Sequence, residues 1–251
     1  MNRLSLKSKL LAIPFLRNLN ELRFDQLRLV YSPSHLTSEY YERIKTDQEL
    51  EHQIGRLRNF QQIIHEISER ALPGDFVEFG TWQGFSLLWI AYFCQQFSIF
   101  NRSLIGIDGF VGLPNDEGVF SMGQFKNTSQ KGVQHGLRAA KELYPQIKKN
   151  IYVHQSLFNE KEKMGAILAG RKFVFMHLDA DLSSSTSEVL NRLQENNALA
   201  DTCYLLFDDY GCDTSLSQTV DEAMAELQHK GWNVLVHSST KLTKNFKLQL
   251  K

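Results

Sequence analysis

Cysteine is scarce in this sequence. There are three among 251 residues, at Cys94, Cys203 and Cys212, an odd number with no CxxC pair. That excludes a disulfide framework and a zinc site built on paired cysteines, and it points to free thiols in a reducing, cytoplasmic setting. Neither charge is in surplus, with 28 basic and 28 acidic residues. A protein that grips nucleic acid shows a basic excess or stripe, so nucleic acid is not an expected partner. Long apolar runs are missing too. The longest, LLWIAYF at 87–93, falls far short of the roughly 20 residues that cross a bilayer, so no transmembrane span is expected. The N-terminal stretch MNRLSLKSKLLAIPFLRNLNELRF is basic and patchily apolar, with neither a continuous apolar core nor a small-residue cleavage site, so it does not read as a signal peptide.

Several catalytic signatures are absent as well. The eight histidines are scattered without HxH or HExxH spacing, and there is no GxSxG elbow and no P-loop. No internal repeat or low-complexity tract occurs. Residues 1–45 read as an accessory segment, either a lid or a surface that pairs subunits into a dimer, and 46–251 as one domain.

What is present is a strong α/β rhythm. Apolar residues make up 42% of the chain and aromatics 11%, enough for a full core. Over 46–71, Ile54, Leu57, Phe60, Ile63, Ile64 and Ile67 recur at helical spacing until LPGD ends the run. Five short apolar runs follow: DFVEF (75–79), SLIGI (103–107), IYVHQ (151–155), KFVFMHL (172–178) and CYLLF (203–207). Helical stretches are expected at 84–97, 131–143, 184–196 and 216–230. Near-continuous apolar strands alternating with helices predict a parallel sheet covered on both faces. WNVLVH and FKLQL then predict an antiparallel hairpin at one edge, for a doubly wound, mostly parallel sheet of seven strands. In such sheets ligands bind beyond the carboxyl ends of the strands, so the residues at those ends are the candidate site.

After the first strand comes EFGTWQGFS, in which Gly80 and Gly84 bracket a tight turn into a helix and Ser86 falls in its first turn. Backbone N–H groups there can approach a ligand. The spacing is GxxxG, not the GxGxxG of a dinucleotide site, and Glu78 before it suits an ammonium better than a pyrophosphate. Asp108 ends the second strand, where an acid can accept from ribose hydroxyls or simply make an Asx-turn. The fourth strand ends in HLDADL and the fifth in FDDYG. Asp179, Asp181, Asp208 and Asp209 at adjacent strand ends would repel one another unless a cation lay between them. Oxygen ligands alone suit a hard divalent ion, Mg²⁺ before Mn²⁺ or Ca²⁺. Each cluster alone has a structural alternative; DLSSST, for example, reads as a cap for the helix starting near Ser184. His177 reads as a satisfied core histidine.

The ordered set GDFVEFGTWQGFS, GIDGFVGLP, MHLDADL and LLFDDYG resembles the TylF/MycF family of macrocin-type sugar O-methyltransferases, over roughly 70–230. The resemblance implies a class I, Rossmann-like methyltransferase that uses S-adenosyl-L-methionine and Mg²⁺ to methylate a hydroxyl of a sugar on a natural product or glycan. By matching position, it makes Glu78, Gly80, Thr81, Gly84 and Ser86 the loop around the methionine end of the cofactor. Asp108 becomes the ribose ligand and Ser156 the adenine-side contact. Asp179, Asp208 and Asp209 become metal ligands, with Asp181 the general base. The chain departs from the family pattern at Gly109 and Val111, which replace a Ser and an acid, and at Ser183, which replaces a Tyr. The Gly-containing stretch 112–136 is expected to cover the acceptor site and exclude water. Two other readings are open. DAD could be the DxD of a metal-dependent nucleotide-sugar glycosyltransferase, though that leaves FDDYG and the Gly80–Gly84 turn idle. Alternatively, the chain keeps the fold as a non-catalytic binding protein.

Overall fold

A computed structural model describes residues 48–251; the accessory segment expected at 1–45 lies outside the described residues. The chain divides into a unit Met1–Ile54 and a unit Gly55–Lys251, and the second holds the whole sheet. Helix α1 spans Gln48–Glu69. Its predicted apolar stripe is real: Leu57, Phe60, Ile63, Ile64 and Ile67 are all buried. Phe60 sets its ring edge-on to Phe175, 5.5 Å between centroids, and to His177 at 4.8 Å.

The strands are β1 (Asp75–Phe79), β2 (Leu104–Asp108), β3 (Ile151–Gln155), β4 (Phe173–Leu178), β5 (Leu199–Phe207), β6 (Trp232–Ser239) and β7 (Lys244–Leu250). They form one sheet in the order β3-β2-β1-β4-β5-β7-β6. The first five pair in parallel and β7 runs antiparallel to both β5 and β6, as the sequence predicts. The helices between strands are α2 (Phe85–Gln96), α3 (Gln130–Ala139), α4 (Lys161–Leu168), α5 (Ser183–Glu195) and α6 (Thr214–His229). Every residue of β4 is buried, which is why its sequence is a continuous apolar run and not an alternating one. α2 buries Leu87, Leu88, Trp89, Ile90, Ala91, Phe93 and Cys94. Each such large apolar side chain contributes about 1.5–3 kcal/mol to folding.

Register positions the site. Phe79 of β1 lies level with Ile107 of β2 and Leu178 of β4, and Leu178 lies level with Phe207 of β5. Gly80, Asp108, Asp179 and Asp208 therefore leave the sheet side by side. Strand order reverses between β1 and β4, so the crevice expected of such sheets opens at these tips.

Three elements differ from the sequence reading. α4 was not anticipated, because it is eight residues long and buries only Met164 and Leu168, too few anchors to show a period. The helix expected over 131–143 stops at Ala139 and gives way to 3₁₀ turns at Lys141–Leu143 and Ile147–Lys149. β5 begins at Leu199, ahead of CYLLF, because Leu199 already pairs with Phe173 before a register shift.

Candidate active site

The tips of β1 and β4 meet through a glycine. Gly80 has φ +88°, and a Cβ there would sit 1.7 Å from the carbonyl oxygen of Asp179. Only glycine permits both the conformation and the approach. Gly80 N–H donates to the Ile107 carbonyl (2.9 Å) and Asp179 N–H to the Phe79 carbonyl (2.8 Å), which fixes the turn between its neighbours. Gly84, at φ +82°, starts α2 and lies against Val133, whose Cγ1 a Cβ would meet at 2.7 Å. Thr81 is buried over Gly106, and Ser86 is buried in the first turn of α2.

Asp108 holds this turn closed. One carboxylate oxygen accepts from Trp82 N–H (2.7 Å) and the other from Phe110 N–H (2.6 Å), the latter an Asx-turn. Both readings of Asp108 made from sequence are compatible with this placement, since each oxygen keeps a second lone pair. Ser156 is fully buried, and its hydroxyl donates to the Leu157 carbonyl (3.0 Å) beside Glu160.

Glu78 is fully buried inside the sheet. Its Oε1 lies 3.1 Å from His177 Nδ1, and its Oε2 is buried without a partner. On the other side His177 Nε2 lies 3.7 Å from Asp208 Oδ1. Burial works against a charged imidazole, but Asp208 and Glu78 outweigh it and raise the His177 pKa to about 9. His177 is a core histidine as expected, but only its Nδ1 is hydrogen-bonded; its buried Nε2 has no such partner, and the ring stands between the acid of β1 and the acid beyond β5.

The four aspartates converge. Ligand atoms of Asp179, Asp181 and Asp209 lie within 4.8 Å of one another, as do those of His177, Asp179 and Asp208. Asp181 adopts φ +59°, which turns it back toward the cluster. Asp209 Oδ2 is buried without a partner. Burial first, and then the charge of Asp208, raises the Asp179 pKa to about 6. Burial and the charges of Asp179 and Asp208 raise Asp181 to about 8, and Asp209 stands well above the ordinary carboxylate range for the same reasons. A divalent cation relieves this crowding, and an orphaned oxygen among the carboxylates of Asp179, Asp181 and Asp209 fits a hard ion.

Two participants escaped the sequence reading. Arg56 of α1 is 7% exposed, and its Nη1 donates to Asp179 Oδ2 (3.0 Å) and Asp208 Oδ2 (2.7 Å). A signal existed: Arg56 lies four, seven and eleven residues before Phe60, Ile63 and Ile67, on the buried stripe of the helix. The other is Glu117, in the loop 109–129. Leu182 at the N-cap position of α5 offers no side-chain cap. Glu117 caps the helix instead, accepting from Ser183 N–H (2.5 Å), the Ser183 hydroxyl, the Ser184 hydroxyl (2.7 Å) and, more weakly, Ser184 N–H (3.4 Å). The cap read into DLSSST is thus supplied from a distance, and Ser183 is where a Tyr stands in the family pattern. Next to it, a Cβ on Gly118 would strike the carboxylate of Asp213, the N-cap of α6. The same loop is tied to the glycine turn at its other end. Trp82 packs edge-on to Phe125 (5.4 Å), and its Nε1 donates to Asn127 (3.0 Å). The loop therefore spans from the β1 turn to the starts of α5 and α6.

Residues 52–230 match the family described as macrocin-O-methyltransferase (TylF). The chain belongs to the TylF family. It is an O-methyltransferase, and this sets aside nucleotide-sugar transfer and a purely non-catalytic role. Among solved structures, the O-methyltransferase NovP superposes with a TM-score of 0.62 at 18% identity, covering 78% of this chain and 80% of that one. CalS11, a calicheamicin methyltransferase, gives 0.60 at 16% identity over 90% and 92%; its apo form is described as a TDP-rhamnose 3'-O-methyltransferase. The S-adenosylhomocysteine-bound methyltransferase PaMTH1 of Podospora anserina gives 0.50 at 12% identity over 94% and 96%. At these identities the likeness is one of fold. No protein of curated function matches the chain in sequence. No helix among the described residues is long and apolar enough to cross a membrane.

Proposed function

We propose that this TylF-family enzyme transfers a methyl group from S-adenosyl-L-methionine to a sugar hydroxyl, with Mg²⁺ as the preferred divalent ion. The observation that carries the reading is the level alignment of the Gly80 turn with Asp179, Asp181, Asp208 and Asp209 at neighbouring strand tips. Bound S-adenosylmethionine supplies an electrophilic methyl on a sulfonium. The unpartnered, buried Oε2 of Glu78 fits its ammonium, and Asp108 fits its ribose hydroxyls. The Gly80–Gly84 turn brings backbone N–H groups close to the same end, and Ser156 stands beyond β3 on the adenine side.

Mg²⁺, when bound, supplies Lewis acidity that lowers a sugar hydroxyl from a pKa near water's, about 15.7. Asp179, Asp208 and Asp209 are the carboxylates assigned to hold it. Asp181 faces the same cluster and takes the proton from the acceptor oxygen at its carboxylate. In-line displacement demands alignment, and the loop 109–129, fastened at Trp82 and at α5, holds the acceptor in place and keeps water out. The similar CalS11 is described as a TDP-rhamnose 3'-O-methyltransferase, which makes sugars the acceptor class to test first.

The test combines thermal-shift titration with S-adenosylhomocysteine and transfer of labelled methyl to a panel of sugar acceptors, with and without EDTA. Stabilisation by S-adenosylhomocysteine and EDTA-sensitive transfer to a sugar are expected. Undiminished turnover in EDTA would remove the metal from the reading, and methylation confined to non-sugar hydroxyls would remove the sugar.

A further inference from the structure

The four aspartates are not equivalent in their cationic company. Asp179 and Asp208 share one nitrogen of Arg56, at 3.0 Å and 2.7 Å, and the side chains of Arg56 and Asp208 are only 8% and 5% exposed. Asp208 also faces His177, which is itself bonded to Glu78. Asp181 and Asp209 cluster with Asp179, and Asp209 keeps an orphaned oxygen. A buried guanidinium cannot shed its proton, so it is a fixed positive charge set between two carboxylates assigned to a metal.

We infer that Arg56 is a resident counter-ion of the carboxylate cluster, a positioning residue that holds Asp179 and Asp208 in place before a divalent cation arrives and that opposes its binding. This rests on the metal reading above. The reasoning is one of charge. Without Arg56, two buried acids lose their shared partner, and the metal-free protein pays the cost of packing them together. A divalent ion entering the same cluster meets the guanidinium as a like charge that must yield Asp208 or tolerate close repulsion. Two ligands that compete for the same groups weaken one another reciprocally, by about 5- to 150-fold for typical couplings. Arg56 thus sets how much free Mg²⁺ the enzyme requires and keeps the site assembled when the ion is absent. Its place on α1, outside the loops that carry the acids, makes the helix part of the metal site's electrostatics.

The test compares the full-length wild-type protein with Arg56→Gln and Arg56→Lys, using Mn²⁺ as the probe. Affinity is read from the free-ion EPR signal, and metal-free and Mn²⁺-loaded Tm by calorimetry. Arg56→Gln is expected to bind Mn²⁺ about fivefold more tightly or better, to melt lower than wild type in EDTA, and to gain more Tm on Mn²⁺ addition. Arg56→Lys, one charge without the planar fork, is expected between the two. Equal or weaker Mn²⁺ binding by Arg56→Gln overturns the inference while leaving the metal reading intact if wild type binds. Binding by Arg56→Gln but not by wild type supports the inference and removes Mg²⁺ dependence from the native enzyme. Binding by neither overturns both. If Arg56→Gln cannot be purified, Arg56→Lys decides alone: a larger Mn²⁺-induced gain in Tm than wild type supports the inference, and an equal gain overturns it.

Discussion

Replacing Glu117 by alanine isolates the fastening of the loop 109–129. The side chain makes four contacts at the start of α5, of which the 3.4 Å one is too long to count for much. Charge-assisted bonds are worth about 1.5–3 kcal/mol each when buried, but this carboxylate is half exposed and competes with water. The appropriate scale is that of a helix cap with an anion at the positive end of the helix, about 1–2 kcal/mol in all. No residue replaces it locally, because Leu182 has no capping side chain and the first turn of α5 carries no acid. A loss of that size lowers Tm by about 2–8 °C for a chain of this length. It raises the open population of the loop by about 5- to 30-fold. Limited proteolysis within 109–129 should accelerate by the same factor, and KM for the acceptor should rise more than KM for the methyl donor. Glu117→Gln, which keeps an acceptor but no charge, should fall between. Cleavage rates indistinguishable from wild type in Glu117→Ala, with unchanged Tm, would falsify the claim that this carboxylate fastens the loop.

Asp181→Asn keeps the backbone, since asparagine tolerates the φ of +59° at this position, but removes the proposed proton acceptor. kcat should drop by about 10²- to 10⁴-fold while Mn²⁺ affinity changes far less; equal losses would make Asp181 a ligand instead. Gly80→Ala adds a Cβ into the Asp179 carbonyl at a positive φ, and should cost about 3 kcal/mol or more and about 6–12 °C in Tm by calorimetry. A Tm within a degree or so of wild type would show that the contact relaxes cheaply. Glu66 tests acid stability. Burial raises its pKa, but Lys247 and Arg70, which both donate to its carboxylate, and the nearby Tyr204 hydroxyl prevail and lower it from 4.5 to about 2. A depressed carboxylate stabilises the fold above its unfolded pKa and loses that contribution as the pH falls. Wild type should therefore shed about 1–2 kcal/mol between pH 4.5 and pH 2 that Glu66→Gln lacks already at neutral pH, measured by urea unfolding. Parallel pH profiles for the two proteins would contradict this.

The sheet could be read from the chain because its central strands are buried on both faces, which makes β1, β4 and the second half of β5 near-continuous apolar runs. The acids could be read because a carboxylate directly after such a run has no packing role. What escaped the reading depends on distance. Arg56 meets Asp179 and Asp208 across 123 and 152 residues, and nothing local in IGRLRNF announces two acids waiting for it. Glu117 caps a helix that begins 66 residues later, so the cap that DLSSST suggests locally comes from elsewhere. α4 was missed for a different reason: Met164 and Leu168 are too few apolar anchors to set a period.

The contact between Gly80 and the Asp179 carbonyl bears on how this enzyme can change, in the laboratory or in descent. Because no side chain separates the two backbones, the glycine turn and the strand tip that starts the acidic cluster form a single block. The loop 109–129, proposed to shape the acceptor site, is held at two points by exchangeable side chains and is free to drift. The block beneath it is not. A graft that transplants the aspartates without the glycine turn, or the turn without the aspartates, joins two surfaces that were never shaped to touch. The smallest portable unit of this active site is therefore the pair of strands β1 and β4 together with both of their tips.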